Sequence, residues 1–152
     1  MESSPPVWSS SCILIARLIF AAVFAMAVTF KLMGINATAA YIGAAGLPMP
    51  VFLTWCAIFL ELALVLCFVT GAFFTEAALA AAAYVLFLGF MFHGPSHWSA
   101  NQSEFGFFID HFTFLAGLLF AAVHGPGKWL ALRTVRFRMP ARSSSDRNQE
   151  RF

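Results

Sequence analysis

The sequence predicts an all-α integral membrane protein, a four-helix bundle with a short interfacial helix in the first outer loop. Hydrophobic residues make up 61% of the 152-residue chain and charged residues only 11%, whereas soluble domains are about 45–50% apolar and about 25% charged. Four apolar runs each approach the roughly 20 residues that a helix needs to cross about 30 Å of hydrocarbon. The solvent of most of the chain is therefore lipid.

The apolar runs predict spans at about 12–33, 51–71, 74–93 and 105–124, which together form a transmembrane domain over 12–132 after a short tail, 1–11. Each run must be helical, because the backbone N–H and C=O groups at an open sheet edge would have no hydrogen-bond partners in lipid. A short hinge beginning at Gly71 separates the second and third spans and predicts an antiparallel hairpin. Ala25-Met26-Ala27 resembles a signal-peptidase site, but the tail has no Lys or Arg, and this favours an uncleaved span.

The loop after the first span is uncharged and predicts a short helix at the membrane surface over residues 38–42. Asn36 or Thr38 would cap this helix, and Gly46 and Pro48 would end it. The loop after the third span contains more polar side chains, and Gly94 and Pro95 stop the preceding helix there.

The charge distribution predicts the orientation in the membrane. Seven of the nine lysines and arginines lie after His124, and cytoplasmic loops carry the excess of these residues. We therefore expect residues 133–152 to be a basic, disordered cytoplasmic tail and, with four spans, both termini to be cytoplasmic. The predicted partner of the tail is the lipid bilayer rather than nucleic acid, because anionic headgroups adjoin it.

Ionisable side chains inside hydrocarbon are costly and need a partner or a watery face. The candidate intramembrane polar or ligand-contacting residues are Arg17, Lys31, Glu61, Asp110 and His111. Glu61 falls near mid-bilayer and Arg17 nearer the cytoplasmic face, a difference that an arginine can bridge, so the two are expected to pair. Alternatively, Glu61 handles protons or contacts a ligand. Lys31 is expected to be an anchor that reaches towards the interface.

His93 and His97 are the candidate polar residues of the second outer loop. Together with His111 and either Asp110 or Glu104, they could suggest a metal set. The i, i+4 spacing of His93 and His97 is that of helical metal ligands, but Gly94 and Pro95 interrupt the helix between them. We therefore predict no metal site. Lys31, Asp110 and His111 could form a further polar cluster with His93 near the outer surface.

Several short motifs occur in an order that resembles the DoxX family of small bacterial membrane proteins. They run from about residue 17 to residue 127 and comprise Arg17-Leu18-Ile19-Phe20, Lys31-Leu32, Thr38-Ala39-Ala40-Tyr41, Gly46-Leu47-Pro48, Leu60-Glu61-Leu62, Phe92-His93-Gly94 and Gly125-Pro126-Gly127. The chain differs from the usual family pattern in the fourth span, where Asp110-His111 replaces a Lys-Asn-type pair. The resemblance implies a four-helix fold in the bacterial inner (plasma) membrane and, in some members, quinone-linked oxidation of sulfur compounds or oxidative-stress complexes.

Three functions remain open at this point. The preferred one is an accessory or ligand-binding subunit without a redox centre or catalytic activity of its own, which binds a lipid-soluble ligand or a partner such as a redox enzyme subunit. The second is a quinone-interacting oxidoreductase subunit with Glu61 and Lys31 near the ring oxygens. The third is a small transporter or proton pathway that uses Glu61, Asp110 and His111. No haem pair, iron–sulfur cysteine set or nucleotide loop appears in the sequence, so electrons would come from elsewhere. Assembly into a homo-oligomer also remains open.

Overall fold

The computed structural model describes residues 7–99 and 101–132, and this part of the chain is helical without any strand. Its elements are α1 (Val7–Met33), α2 (Ile35–Ala44), α3 (Pro50–Thr70), α4 (Phe74–His93), a 3-10 helix (Pro95–His97) and α5 (Ser103–His124). Within these residues, α1, α3, α4 and α5 are long and apolar enough to cross a bilayer. The prediction of an all-α, multi-pass membrane protein is therefore confirmed, while the predicted tail 133–152 lies outside the described residues.

The four spanning helices alternate in direction. α1 packs chiefly against α3, and α4 packs chiefly against α5. The turn between α3 and α4 is tight, because Gly71 and Phe73 both have positive φ angles of 71° and 48°. Gly71 adopts this left-handed conformation without steric penalty, so the chain reverses within three residues, as the predicted hinge requires.

Aromatic side chains join the two helix pairs. The Phe20 ring of α1 lies 5.6 Å from Phe68 of α3 and 5.2 Å from Phe114 of α5, measured between ring centroids. Small side chains make up the buried face of α4: Ala77, Ala78, Ala81 and Ala82. Because lipid tails are as apolar as the side chains, helices in a membrane associate by close packing, and small residues permit it.

Outward-facing apolar side chains surround this core. Trp8 and Phe120 are each 69% exposed, and α5 is the least buried of the four spanning helices. Exposed aromatic surface of this extent suits contact with lipid. In a soluble protein, apolar patches of this kind would mark an interaction site or favour aggregation.

The helix in the first loop is present, but its start differs from the prediction. α2 follows α1 after a single residue, Gly34, and has no side-chain cap. The amide of Gly34 still bonds to the carbonyls of Phe30 and Lys31, so no extended residue precedes the helix that could act as a cap. The expected capping by Asn36 or Thr38 is therefore wrong. α1 also begins at Val7, five residues before the predicted start at Cys12.

Candidate functional site

A cavity of about 700 Å³ lies inside the bundle, next to α2. Its wall is mostly apolar and includes Phe30, Leu53, Leu60, Phe87 and Leu88. Volumes of about 300–1,000 Å³ with an apolar lining and a few polar groups are typical of small-molecule sites. The polar groups at this cavity come from α1, α2, α4 and α5, and they decide what it can hold.

A buried polar triad of Lys31, Glu61 and Tyr84 lies at one side of the cavity. Lys31 Nζ donates to both carboxylate oxygens of Glu61, at 2.8 Å to Oε1 and 3.0 Å to Oε2. The Tyr84 hydroxyl donates to Glu61 Oε1 at 2.9 Å. Glu61 is 1% exposed, whereas Lys31 and Tyr84 line the cavity. Of the three side chains, Lys31 keeps one N–H donor free of partners in the described part of the chain and thus available to a ligand, whereas the single O–H of Tyr84 is used by Glu61.

The pairing of Glu61 with Lys31 corrects two expectations. Glu61 was expected to pair with Arg17, and Lys31 was expected to extend towards the interface as an anchor. Instead, the Lys31 side chain reaches inward to the middle of α3, because a carboxylate deep in the bundle offers it two charge-assisted hydrogen bonds. The third ammonium proton of Lys31 has no partner among residues 7–99 and 101–132.

Arg17 lies at the opposite end of the bundle and is 1% exposed. Its guanidinium donates five hydrogen bonds to backbone carbonyl oxygens, those of Phe68 and Val69 at the end of α3 and those of Pro126, Trp129 and Leu130 after α5. These bonds use all five of its N–H donors. Arg17 therefore ties the segment after α5 to α3.

The position of Arg17 explains why it does not reach Glu61. Phe68 follows Glu61 by seven residues, about 10 Å along a helix. The carbonyl oxygens at a helix C-terminus carry partial negative charge, so the end of α3 stabilises the guanidinium without a carboxylate. A Cβ atom at Gly71 would lie 3.1 Å from Arg17 Nη2, so a residue without a side chain is needed there.

His93 and His111 line the cavity at another side, with ring centroids 5.1 Å apart. His93 Nδ1 lies 2.6 Å from Glu104 Oε2. His111 Nδ1 lies 2.7 Å from the carbonyl oxygen of Phe107, which can only accept, so His111 carries a proton on Nδ1. A Cβ atom at Gly89 would lie 3.1 Å from His111 Cβ. The absence of a side chain at Gly89 therefore lets α5 bring His111 close to α4.

A smaller pocket of about 340 Å³ adjoins this region and is lined by Tyr41, Phe92, His97, Asn101 and Glu104. Tyr41 and Phe92 line both cavities and stack on each other with centroids 4.9 Å apart. Their rings therefore form the wall between the two spaces. Partial burial, and then the nearby Glu104 carboxylate, raise the pKa of Tyr41 above its ordinary value.

The remaining predicted residues lie apart from the large cavity. His97 is exposed in the 3-10 helix and lines the smaller pocket. Asp110 is exposed on α5 and does not line either pocket. The expected cluster therefore includes Lys31, His93 and His111 around one cavity but not Asp110. No group of three or more His, Cys, Asp or Glu side chains suited to a metal ion occurs in the described part of the chain.

Sequence reasoning missed the polar roles of Tyr84 and Tyr41. The chain has only two tyrosines, and both line the cavity. A tyrosine in a spanning helix carries a hydroxyl that needs a partner when buried, so the sequence marks Tyr84 as a polar candidate for the same reason as Glu61. Glu104 was considered only as a member of a metal set, whereas the structure pairs it with His93.

The cavity and its polar groups belong largely to the part of the chain that matches a known family. No curated protein and no solved structure matches the chain significantly. The DoxX family model matches residues 12–94, which contain Arg17, the Lys31–Glu61–Tyr84 triad and His93. The match ends before α5, which supplies Glu104 and His111. With more than half of its length covered, the chain belongs to the DoxX family.

Proposed function

We propose that this membrane protein is an accessory subunit that binds an uncharged, lipid-soluble ring compound of the quinone type in the cavity beside Lys31. The observation that carries the proposal is an apolar cavity of about 700 Å³ with a lysine ammonium at its wall that is already neutralised by a buried carboxylate. Such a site offers a hydrogen-bond donor without a net charge.

The charge balance of the triad supports an uncharged ligand. Lys31 is paired with Glu61, so an anionic ligand would compete with a carboxylate that accepts three hydrogen bonds. A ring carbonyl oxygen, in contrast, needs only the remaining ammonium proton of Lys31. Hydrogen bonds from a charged donor are worth about 1.5–3 kcal/mol, enough to orient a ligand in an apolar space.

The aromatic lining of the cavity suits a flat ring. Phe30, Phe87 and Phe92 provide aromatic surface, and aromatic rings pack in offset or edge-to-face arrangements. The residues present therefore fit a quinone head group, which would supply two-electron redox chemistry when bound. The chain's own part is to bind and orient it, and a partner enzyme would provide the electrons.

The alternative of a transporter or proton pathway through Glu61, Asp110 and His111 has less support. Asp110 is exposed and lies outside the cavity lining. Glu61 is 1% exposed, and both of its carboxylate oxygens already accept hydrogen bonds from Lys31 or Tyr84.

Calorimetric titration of the full chain in lipid nanodiscs with a short-chain 1,4-benzoquinone tests the proposal. We expect saturable binding. Lys31→Met should weaken the affinity about tenfold or more, because it removes one charge-assisted hydrogen bond to the ligand. Ala57→Phe, which places an aromatic ring in the cavity and leaves all three triad residues in the sequence, should also abolish binding. Lys128→Met, at an exposed position, is the matched control and should bind as the unchanged protein does. Absence of saturable binding, or full affinity in Ala57→Phe, would overturn the proposal.

A further inference from the structure

We infer that His93 is the second polar contact of the cavity ligand, and that its protonation at Nε2 selects between the carbonyl and hydroxyl forms of that ligand. The inference rests on the proposed function. It starts from the position of the pair: His93 lines the large cavity, Glu104 lines the smaller pocket, and the two side chains are hydrogen-bonded at 2.6 Å. The pair therefore crosses the wall between the two spaces.

The hydrogen bond to Glu104 fixes the role of each His93 nitrogen. A carboxylate only accepts, so Nδ1 carries a proton and donates it to Glu104. A neutral imidazole has a single N–H, which leaves Nε2 as an acceptor. A ligand hydroxyl can donate to Nε2 in this state. When Nε2 is protonated as well, the ring becomes a donor at both nitrogens and suits a ligand carbonyl oxygen instead.

Glu104 gives His93 a route to water. In the outward direction, a proton from the cavity binds to His93 Nε2 and leaves the ring doubly protonated. The Nδ1 proton then moves to Glu104 Oε2 and into the smaller pocket, which leaves a neutral ring with its proton on Nε2. The inward direction reverses these steps. Only a proton moves, and no electron or other group is transferred. The side chains of His97 and Asn101 at the same pocket make it the polar side of the wall.

The other ionisable groups around the cavity favour His93 over its neighbour as the ring that changes charge. His111 lies 5.1 Å away on α5, so two protonated rings would repel each other. His111 Nδ1 bonds to a neutral carbonyl, whereas His93 Nδ1 bonds to a carboxylate that compensates a positive charge. The Lys31 charge is matched by Glu61, and Tyr41 from α2 is neutral near pH 7.

The test compares the affinities of a short-chain 1,4-benzoquinone and its hydroquinone, kept reduced without oxygen, for the full chain in nanodiscs. Titrations at about pH 5.5 and about pH 8 bracket the range in which histidine changes charge. We expect the ratio of quinone to hydroquinone affinity to rise about tenfold on acidification, as a neutral acceptor becomes a charged donor. His93→Gln, whose amide donates and accepts at every pH, should bind both probes with a ratio that does not change with pH.

Matched variants separate the possible outcomes. His124→Gln, at an exposed histidine that lines neither pocket, should keep the pH dependence, and Glu104→Gln should reduce it. If both probes bind the unchanged protein and the ratio of their affinities is the same at both pH values, the inference is overturned and the proposed function stays intact. A pH dependence that survives His93→Gln but disappears in His111→Gln would overturn it as well. If neither probe binds at either pH, the proposed function itself fails.

Discussion

Lys31 and Glu61 form a partly buried ion pair between α1 and α3, with the ammonium nitrogen 2.8 Å from one carboxylate oxygen and 3.0 Å from the other. The pair joins the end of α1 to the middle of α3 and lies at the wall of the cavity. Among the described residues, no buried side-chain nitrogen or oxygen lacks a hydrogen-bond partner. The ion pair and Tyr84 therefore form a hydrogen-bonded network within an apolar bundle, with one ammonium proton of Lys31 left for a ligand.

The first prediction concerns the strength of this pair. Lys31→Leu or Glu61→Leu leaves the other charge buried without a counter-charge, so each should lower the free energy of unfolding by about 3–5 kcal/mol. The double change should cost less than the sum, with a coupling energy of about 0.5–3 kcal/mol. Equilibrium unfolding of detergent-solubilised protein measures these values. The cycle of Arg17→Leu with Glu61→Leu is the control, and its effects should add; strong coupling there would contradict the pairing described above.

The second prediction concerns the Arg17 clamp. Arg17→Lys keeps the charge but replaces five fixed donors by three, so several carbonyl bonds to the segment after α5 are lost. We expect a loss of about 3 kcal/mol or more in stability, since hydrogen bonds to charged groups contribute about 1.5–3 kcal/mol each. The amide of Leu132, which bonds to the Thr70 carbonyl at 2.9 Å, should exchange its hydrogen faster. Lys128→Ala, at an exposed position, is the control. If the Leu132 amide exchanges its hydrogen at the same rate in Arg17→Lys as in this control, Arg17 does not act as a clamp.

The third prediction concerns the contact between α4 and α5. Gly89→Ala places a Cβ atom 3.1 Å from His111 Cβ, so the helices must separate or His111 must shift, at a cost of about 1–3 kcal/mol. Gly106→Ala is the matched control on α5, because nothing lies within 4 Å of its added Cβ. That substitution should leave stability unchanged or raise it by up to about 1 kcal/mol through helix propensity. Thermal unfolding of both variants measures the difference, and an equal effect of the two would refute the close approach.

The fourth prediction concerns orientation. Because the lysines and arginines concentrate after Lys128, we expect both termini to lie in the cytoplasm. In a bacterial host, a phosphatase that is active only in the periplasm should be inactive when fused after Arg142. A fluorescent protein that folds only in the cytoplasm should be bright at the same position. An active phosphatase with a dark fluorescent fusion would show the opposite orientation.

The spans were predictable because hydropathy is a local property of the chain. Runs of about 20 apolar residues have one stable solution in lipid, since a helix satisfies its own backbone. The Gly71 hinge was also predictable, because few residues besides glycine adopt a positive φ angle without strain. The same reasoning identified Arg17, Lys31, Glu61 and the histidines, since ionisable groups are rare in such a chain and each one requires a partner.

By itself, the sequence determined the membrane environment, the four helices and the short set of polar residues that their burial makes conspicuous. Only the tertiary structure decided how these residues combine. The estimated depths of Arg17 and Glu61 in the membrane allowed the two side chains to meet. Instead, the guanidinium binds the backbone carbonyl oxygens at the end of α3. Every residue carries such an acceptor, so no sequence pattern identifies it as the partner. Lys31 and Tyr84 then meet Glu61 because the rotation of α1 and α4 about their axes directs both side chains inward. That rotation is set by packing between helices distant in sequence, which hydropathy along a single run does not encode.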